Sequence, residues 1–370
     1  MKYKPLHYQN MNINSNAKNK KKNKEARKSN LELLRIVAML LVLLTHYVST
    51  RISIEEYPLV SNSVFNIPSF HSILNMELES LSFVCVNCFV LISGYFRIKF
   101  KWHSFANLFF QILFWSLFCI LIASLPFLKF PDFPLLKTFI TSLTWGWFVQ
   151  GYIILFIFSP VLNAFIDSCS EKQLGTYVFI FYLLSTIGGY LMLWTDFHKG
   201  MSALSLMGIY LTGAYLRHTT LKIFSLKATY DLLFYLAGGV IIVCLNIAML
   251  SVGIHISPYG YLNPMIILMS VFLFLFFKKT EIGHKRWINR FAASAFSIYL
   301  FHCNVLIGPH ISSMWSKINL QFPPLFSLLI AFISFVIIYT FCTLVDRLRI
   351  YCWHYVSTKV FNYDDARVRL

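Results

Sequence analysis

The sequence predicts an all-α fold, a polytopic membrane helix bundle of about ten transmembrane helices with both termini cytoplasmic. Of its 370 residues, 57% are hydrophobic and only 13% are charged, a composition too apolar for a soluble globular protein. The mean hydropathy is +0.63. Apolar windows of about twenty residues, each long enough to cross a bilayer, recur between basic loops. Together these observations indicate an integral membrane protein without a soluble domain of useful size.

The candidate membrane spans are ten apolar windows. In chain order they lie near residues 31–50, 80–97, 104–125, 144–166, 174–194, 202–217, 230–252, 261–277, 291–309 and 324–346. The sixth window is the weakest, because it is short and rich in glycine. The windows divide the chain into a basic, disordered cytosolic tail (1–30), a transmembrane domain (31–350) and a short cytosolic C-terminal tail (351–370).

Loop charges orient this bundle, because short cytoplasmic loops carry an excess of Lys and Arg. The N-terminal tail and the loops RIKFKWH, RHTTLKIFSLK and KKTEIGHKRWINR are basic and are expected in the cytoplasm. The segment from Asp167 to Lys172 is expected there too, although it is slightly acidic. The loop after the first span is expected outside, since against Arg51 it carries the acidic residues Glu55, Glu56, Glu77 and Glu79.

The net charge of +17 is concentrated in the tail, whose first thirty residues hold nine Lys or Arg and one Glu. Because this run directly precedes an apolar span, we interpret it as an arm held at anionic lipid headgroups and predict no binding to nucleic acid. The eight cysteines are scattered, mostly in apolar runs, and Cys85 and Cys88 are the only close pair. A role as small apolar core residues is favoured over redox or metal chemistry.

One stripe on the first span interrupts its apolar pattern and consists of Glu32, Arg35 and His46. Eleven residues at about 100° each return to within roughly 20° of the starting direction, so Arg35 and His46 share one helix face about 16 Å apart. Glu32 precedes Arg35 by about one turn on the same side. Charged groups at membrane depth are costly and are retained where they face a cavity or a partner. The stripe therefore predicts a functional cavity inside the bundle.

A second candidate group closes the second span, in the sequence NCFVLISGYFRIKFK. It contains a polar, glycine-containing turn followed by cations, namely Ser93, Gly94, Tyr95, Arg97, Lys99 and Lys101. With the predicted orientation, this group lies at the cytoplasmic edge beside Arg35. Glycine permits close backbone approach and cations pair with phosphate, so we expect a phosphorylated ligand to enter here. The alternative is that the cations are ordinary positive-inside residues.

Four motifs resemble acyltransferase family 3, a family of integral-membrane O-acyltransferases. They are E-x-x-R-x(10)-H on the first span, VNCFVLISGYF on the second, WGWFVQGYIILFIFSPVLN on the fourth and SIYLFH on the ninth. The resemblance implies ten spans in a bacterial inner membrane. It also implies transfer of an acetyl or other short acyl group from acyl-CoA to a hydroxyl of a cell-surface polysaccharide or lipid-linked saccharide. Acetyl-CoA is then the donor substrate, and no permanently bound cofactor is expected.

The family's Arg and His fall on Arg35 and His46 of this chain. The chain departs from the family pattern at three places. Glu32 stands where Asp is common, Asn87 stands where the second span often has Asp, and the aromatic pair after it is reduced to Phe89 followed by Val90. These changes leave the Arg and His in place, so they concern substrate details more than the class of reaction.

Acyl transfer needs a base near the attacking hydroxyl, and His46 is the best candidate because imidazole titrates near physiological pH. His46 either acts as the base or becomes transiently acylated. Arg35 is expected to anchor the donor's phosphates, with Glu32 as its counter-charge. Weaker candidates for substrate binding are Asn87, Trp147, Tyr152 and His302. Of these, Trp147 is also explained as an interfacial aromatic residue and His302 as a hydrogen-bonded core residue. The ninth span is predicted to run outward like the first, so His302 is expected beside His46.

The sequence has no evident spacing of metal ligands, and no metal site is predicted. Two other functions stay open: an exporter or carrier of polysaccharide or lipid-linked sugar, and an accessory membrane subunit without chemistry. The basic cytosolic mouth favours the enzyme, because a path for neutral sugar needs no phosphate anchor. The expected partners are acyl-CoA, the sugar acceptor and membrane lipids, while the oligomeric state is left open.

Overall fold

The computed structural model describes residues 29–52, 70–125, 146–192, 194–253 and 257–361, and every regular element within these ranges is a helix. The α-helices are, in chain order, α1 (Asn30–Ile52), α2 (Phe70–Ser82), α3 (Cys85–Phe96), α4 (Trp102–Ala123), α5 (Trp147–Ser168), α6 (Glu171–Thr186), α7 (Ala203–His218), α8 (Ala228–Ser251), α9 (Pro264–Lys279), α10 (Arg286–Ala293), α11 (Ala295–His302), α12 (Gly308–Gln321) and α13 (Pro324–Phe361). A π-helical turn, Ile187–Leu191, extends α6. The predicted all-α class is therefore confirmed for the described chain.

Some sequence-based predictions concern segments that the structure does not describe. The cytosolic tail up to residue 28, the acidic residues Glu55 and Glu56 of the first loop, and residues 362–370 all lie outside the described residues.

Six helical segments of the described chain are long and apolar enough to cross a membrane. They are α1, the nearly continuous pair α2 and α3, α4, α5, α8 and α13. These segments make the chain a multi-pass membrane protein. Other predicted spans fall on shorter helices, since α6, α7 and α9 have 16 residues each, whereas a crossing takes about 20. The count of ten crossings and the cytoplasmic placement of the termini stay predictions.

The second predicted span begins earlier than residue 80. Because α2 starts at Phe70, Glu77 and Glu79 lie on a helix and not in the external loop where the charge pattern places them. The hydroxyls of Ser80 and Ser82 donate to the backbone oxygens of Glu77 and Glu79. The sequence FHSILNMELES mixes polar and apolar residues, so a hydropathy window does not include it and starts too late. It nevertheless forms a helix, in which the serine hydroxyls bond to the backbone of the same helix.

The ninth predicted span is not one continuous helix. The backbone leaves the helical conformation at Ser294, which separates α10 from α11. The hydroxyls of Ser294 and Ser297 donate to the two carboxylate oxygens of Asp346 on α13, at 2.8 and 2.7 Å. After only eight residues α11 ends at His302, which is buried in the bundle. The break therefore places His302 at a helix terminus.

Several helix ends meet at one end of the bundle, called the basic end below and defined by Asn30, Tyr95 and Lys278. Asn30 at the start of α1 donates its side-chain amide to the backbone oxygen of Lys278 near the end of α9. The Lys278 ammonium lies 5.1 Å from the centre of the Tyr95 ring near the end of α3. The neighbouring Lys279 pairs with Asp231 in the first turn of α8 at 2.6 Å. The start of α1 and the end of α3 are thus close in space, as their opposite predicted directions require.

The last helix returns to the basic end. It continues past residue 350 to Phe361, so residues 351–361 of the predicted tail are helical. The ring of Trp353 lies 5.2 Å from that of His103 in the first turn of α4. Both ends of the described chain therefore lie at the basic end, as an even number of crossings requires.

Candidate active site

Two histidines from distant parts of the sequence meet inside the bundle. His46 near the end of α1 and His302 at the end of α11 lie with Nδ1 of His46 2.9 Å from Nε2 of His302. Their ring centres are 5.0 Å apart. His302 is buried, whereas His46 is partly exposed. The expected proximity of His302 to His46 is confirmed, and this histidine pair is the centre of the candidate site.

Hydrogen bonding defines the tautomer of the histidine pair. Nδ1 of His302 lies 2.6 Å from the backbone oxygen of Ile298, which can only accept, so this nitrogen carries a hydrogen. Nε2 of neutral His302 is then an acceptor, and Nδ1 of His46 donates to it. Consequently, Nε2 of His46 keeps its lone pair. The arrangement is a basic nitrogen whose ring is oriented by a second group, as general-base and nucleophilic catalysis require.

A thiol forms a compact cluster with the two imidazoles. The Sγ atom of Cys303 lies 3.3 Å from Nε2 of His302 and 3.8 Å from Nδ1 of His46. The three atoms lie within 4.8 Å of one another and are of the types that bind zinc in proteins. Sequence analysis did not anticipate this cluster, because His46 and Cys303 are 257 positions apart. The adjacent His302 and Cys303 are the local signal that could have indicated it.

Aromatic rings connect the start of α5 to the histidine pair. The Tyr299 ring lies 5.9 Å from His302 and 5.3 Å from Phe148. Phe148 in turn lies 6.0 Å from Trp147, whose ring is 5.1 Å from Tyr261. Trp147, a predicted substrate-binding residue, therefore lies in the same aromatic group as the neighbours of His302.

The two other predicted substrate-binding residues have different neighbours. Asn87 donates its side-chain amide to the backbone oxygen of Tyr261 at 2.9 Å, and its Oδ1 is buried without a hydrogen-bond partner in the described chain. The Tyr152 hydroxyl lies 3.3 Å from the hydroxyl of Ser93 on α3. Asn87 is thus joined to the aromatic group through Tyr261. The Tyr152 ring lies 5.8 Å from that of Phe148, so Tyr152 belongs to the aromatic group and also to the interface between α3 and α5.

Arg35 and Glu32 form the expected ion pair at the other end of the stripe. Nη1 of Arg35 donates to both carboxylate oxygens of Glu32, at 2.8 and 2.9 Å. The Glu32 side chain is 4% exposed and that of Arg35 is 26% exposed. The buried carboxylate is compensated by its partner. The guanidinium has five N–H donors in a planar fork, so its exposed part is still able to meet an anion.

The predicted mouth after the second span is largely filled by contacts within the protein. A Cβ on Gly94 would overlap the backbone oxygen of Tyr210, so α3 and α7 cross closely at this glycine. The Tyr210 backbone fills the space beside the Gly94 Cα, so close packing of two helices explains this glycine without a phosphate. Ser93 donates to a backbone oxygen of its own helix. The Tyr95 ring packs beneath the ammonium of Lys278.

Arg97 of the predicted mouth is held by α5. Its guanidinium donates to Asp167 at 2.6 Å and to the side-chain and backbone oxygens of Asn163 at 3.2 and 2.8 Å. The hydrogen bond to the Asp167 carboxylate raises the pKa of Arg97. Arg97 therefore joins the connection between α3 and α4 to α5, while Lys99 and Lys101 are exposed.

Lys278 is a cation at the basic end that sequence analysis did not select. Its half-buried ammonium donates to the backbone oxygen of Leu216 at 3.4 Å and lies over the Tyr95 ring. Because Asn30 bonds the Lys278 backbone, this cation lies at the start of the helix that carries Arg35. In the sequence, Lys278 is only the first of two lysines at the end of an apolar segment.

A second buried polar group, called the aspartate cluster, joins α4, α11 and α13. Asp346 accepts from Ser294 and Ser297, and Arg349 donates Nε and Nη2 to its two oxygens at 2.8 and 3.1 Å. Gln111 donates to the Ser297 hydroxyl at 2.9 Å. Asp346 and both serines are fully buried. Sequence analysis selected none of these residues, because nothing in an apolar window shows which distant chain segment supplies a partner.

Membrane-spanning helices around a partly exposed imidazole base and a partly exposed guanidinium define the class of the molecule, an integral-membrane protein with a candidate proton-transfer site. Residues 28–346 match the acyltransferase domain that describes acyltransferase family 3, so the chain belongs to that family. The searches of curated proteins and of solved structures found no match. The protein is therefore a membrane acyltransferase of this family, and the matched region contains the whole stripe and the histidine pair.

Proposed function

We propose that the protein is an O-acyltransferase of a bacterial inner membrane. It transfers an acetyl or other short acyl group from acyl-CoA to a hydroxyl of a cell-surface polysaccharide or lipid-linked saccharide. The observation that carries the proposal is the 2.9 Å bond between Nδ1 of His46 and Nε2 of His302, which leaves Nε2 of His46 with a lone pair. Acyl transfer to a hydroxyl requires such a base, whereas a carrier of the same sugars requires none.

In the proposed reaction, Nε2 of His46 accepts the proton of the acceptor hydroxyl as the hydroxyl oxygen attacks the thioester carbonyl. His46 then carries hydrogens on both ring nitrogens, and its Nδ1 keeps the bond to His302. When the tetrahedral intermediate collapses, the C–S bond breaks and His46 returns the proton to the departing CoA thiolate. The products are an acyl ester and free CoA. His302 is a positioning residue, since it orients the His46 ring and selects its tautomer.

The same lone pair supports a second route, in which His46 attacks the thioester itself and carries the acyl group until the hydroxyl arrives. Direct transfer requires donor and acceptor to be bound together, whereas an acyl-histidine intermediate gives ping-pong kinetics. Initial rates measured while both substrate concentrations are varied distinguish the two routes.

Arg35 is the proposed anchor for the phosphates of the donor. It lies about 16 Å along α1 from His46, a separation that the thiol arm of acyl-CoA would span. The two bonds from Nη1 to Glu32 hold the guanidinium, whose planar fork suits phosphate. Lys278 supplies a second cation at this end of the bundle. Lys99 and Lys101 add exposed positive charge, whereas Arg97 is engaged with Asp167.

The proposal is tested with membranes that contain the protein and acetyl-CoA labelled in the acetyl group. We expect label to enter a glycan or a lipid-linked saccharide, and we expect His46→Ala to lower the rate by about 10²–10⁴-fold. His71→Ala is the matched control, because it removes an exposed imidazole at the start of α2. Unchanged transfer by an inserted His46→Ala protein would exclude His46 as the base. Chemical analysis of O-acetyl groups on surface polysaccharide, with and without the protein, identifies the acceptor.

A further inference from the structure

We propose that His46, His302 and Cys303 form a binding site for a soft divalent cation such as Zn²⁺, and that an occupied site blocks acyl transfer. Two imidazole nitrogens and a thiolate are a donor set that zinc takes in proteins. The three donor atoms form a triangle with sides of 2.9, 3.3 and 3.8 Å. The inhibition rests on the proposed function, whereas the binding of the cation does not.

The triangle is close to the one that tetrahedral zinc imposes on its ligands. With Zn–N bonds of about 2.0–2.1 Å and Zn–S bonds of about 2.3 Å, two nitrogens stand about 3.3 Å apart, and a nitrogen and a sulfur about 3.6 Å apart. From their separation of 2.9 Å, the two imidazole nitrogens need to move apart by about 0.4 Å to reach this geometry. A small rotation of the partly exposed His46 ring provides that movement.

The surroundings of His302 favour a ligand role. Its Nδ1 donates to the backbone oxygen of Ile298 at 2.6 Å, which is the kind of bond that orients metal-binding histidines and directs Nε2 toward the ion. Cys303 follows where the backbone leaves α11, so its thiol lies beside Nε2 of His302. His46 from α1 completes a set of three protein ligands, which leaves a fourth position for water.

A cation at Nδ1 of His46 reverses the tautomer on which the proposed reaction depends. A neutral imidazole that coordinates a metal through Nδ1 carries its hydrogen on Nε2. Nε2 of His46 then donates and no longer accepts the proton of a hydroxyl. Coordination also releases the thiol proton of Cys303 to water, so binding of the cation weakens as the pH falls. The metal therefore inhibits by removing the lone pair of the base, and not by filling the donor site.

Cobalt titration tests the site without any measurement of activity, because Co²⁺ occupies zinc sites and a thiolate bound to it gives a near-ultraviolet charge-transfer absorption. The full chain is purified in detergent without a histidine tag and titrated with Co²⁺. We expect this absorption in the wild type and in Cys244→Ser, which removes an exposed thiol of α8, and its loss in Cys303→Ser. We expect His302→Gln to weaken cobalt binding by about tenfold or more. An absorption that is missing in the wild type, or unchanged in Cys303→Ser, would overturn the site.

Acyl transfer in the presence of Zn²⁺ tests the inhibition. We expect Zn²⁺ to inhibit the wild type and Cys244→Ser, and a chelator to restore both. For Cys303→Ser, we expect the zinc concentration that halves the variant's own metal-free rate to rise by about tenfold or more. Transfer that is unaffected at saturating metal would overturn the inhibition and leave the binding site in place. If the protein transferred no acyl group at all, the proposed function would fail, whereas the cobalt titration would still decide the site.

Discussion

The short helix α11 carries a buried polar group at each end, and the two groups differ in how fully their hydrogen-bonding capacity is used. At its start, four donors from Ser294, Ser297 and Arg349 fill the four lone-pair sites of the Asp346 carboxylate. At its end, the pairing with His302 leaves a lone pair on Nε2 of His46. The aspartate cluster, whose acceptor sites are all occupied, stabilises the fold. The histidine pair, which has one basic nitrogen without a hydrogen, is able to accept a proton.

The position of the histidine pair also depends on the aspartate cluster. Because α11 has only eight residues, the bonds from its first turn to Asp346 help to determine where His302 lies at its last turn. The aspartate cluster therefore supports the histidine pair without touching it. Substitutions at the two ends of α11, and at the ion pairs of Arg35 and Arg97, distinguish residues that act in catalysis from residues that stabilise the fold.

The largest effect is expected from removing the acceptor that orients His46. His302→Leu deprives Nδ1 of His46 of its partner, so the tautomer with a lone pair on Nε2 is no longer selected, and kcat should fall by about 10²–10⁴-fold. His302→Gln offers an amide oxygen near the former position of Nε2 and should recover part of the rate. The measurement is kcat at saturating donor and acceptor. An equal loss in both variants would point to packing and contradict the positioning role.

The next effect is expected on stability at the other end of α11. Asp346→Ala leaves the buried Arg349 without its counter-charge and should lower the free energy of unfolding by about 3–5 kcal/mol. Denaturant unfolding of the purified protein measures this change. The double variant Asp346→Ala with Arg349→Met should lose less stability than Asp346→Ala alone, because no unpaired charge is left. An Asp346→Ala protein as stable as the wild type would contradict the role of the aspartate cluster in stabilising the fold.

A smaller effect is expected at Arg35. Arg35→Ala should raise the KM for acyl-CoA by about 10- to 100-fold with little change in kcat, because charge-assisted hydrogen bonds worth about 1.5–3 kcal/mol are lost from donor binding. Arg35→Lys keeps the charge without the planar fork and should give an intermediate KM. Steady-state kinetics with varied acyl-CoA measure both. A normal KM in the alanine variant would refute the anchoring role.

The smallest effect is expected at Arg97. Its partner Asp167 has a side chain that is 67% exposed, so water screens the pair, and Arg97→Gln should lower the free energy of unfolding by much less than Asp346→Ala. The KM for acyl-CoA should stay near that of the wild type. A rise in KM as large as that of Arg35→Ala would show that Arg97 takes part in binding the donor.

The ion pair of the stripe was predictable because it is local. Glu32 and Arg35 are separated by one turn of one helix, so the helical period alone brings them together. The approach of His302 to His46 was expected because the resemblance gave a reason to compare two distant motifs. Two contacts could not be predicted in this way. Cys303 and His46 are 257 positions apart, and Ser294 and Asp346 are 52 positions apart, so the period of a single helix does not predict that they meet.

The close helix crossing at Gly94 was missed for a similar reason. A glycine beside cations is compatible both with a phosphate and with a second helix, and only the position of α7 distinguishes them. The early start of α2 was missed for another reason, since hydropathy measures polarity and not whether a serine hydroxyl is satisfied by the backbone of its own helix.

The direction of α11 has an electrostatic consequence. The last carbonyl groups of a helix lack intrahelical partners, and they give its carboxyl end a partial negative charge, just as the first N–H groups give its amino end a partial positive charge. The carboxylate of Asp346 meets the amino end of α11. The histidine pair meets the carboxyl end, where an imidazolium would gain about 0.3–1 kcal/mol. The macrodipole of one short helix thus suits a permanent negative charge at its start and a transient positive charge, present only during proton transfer, at its end.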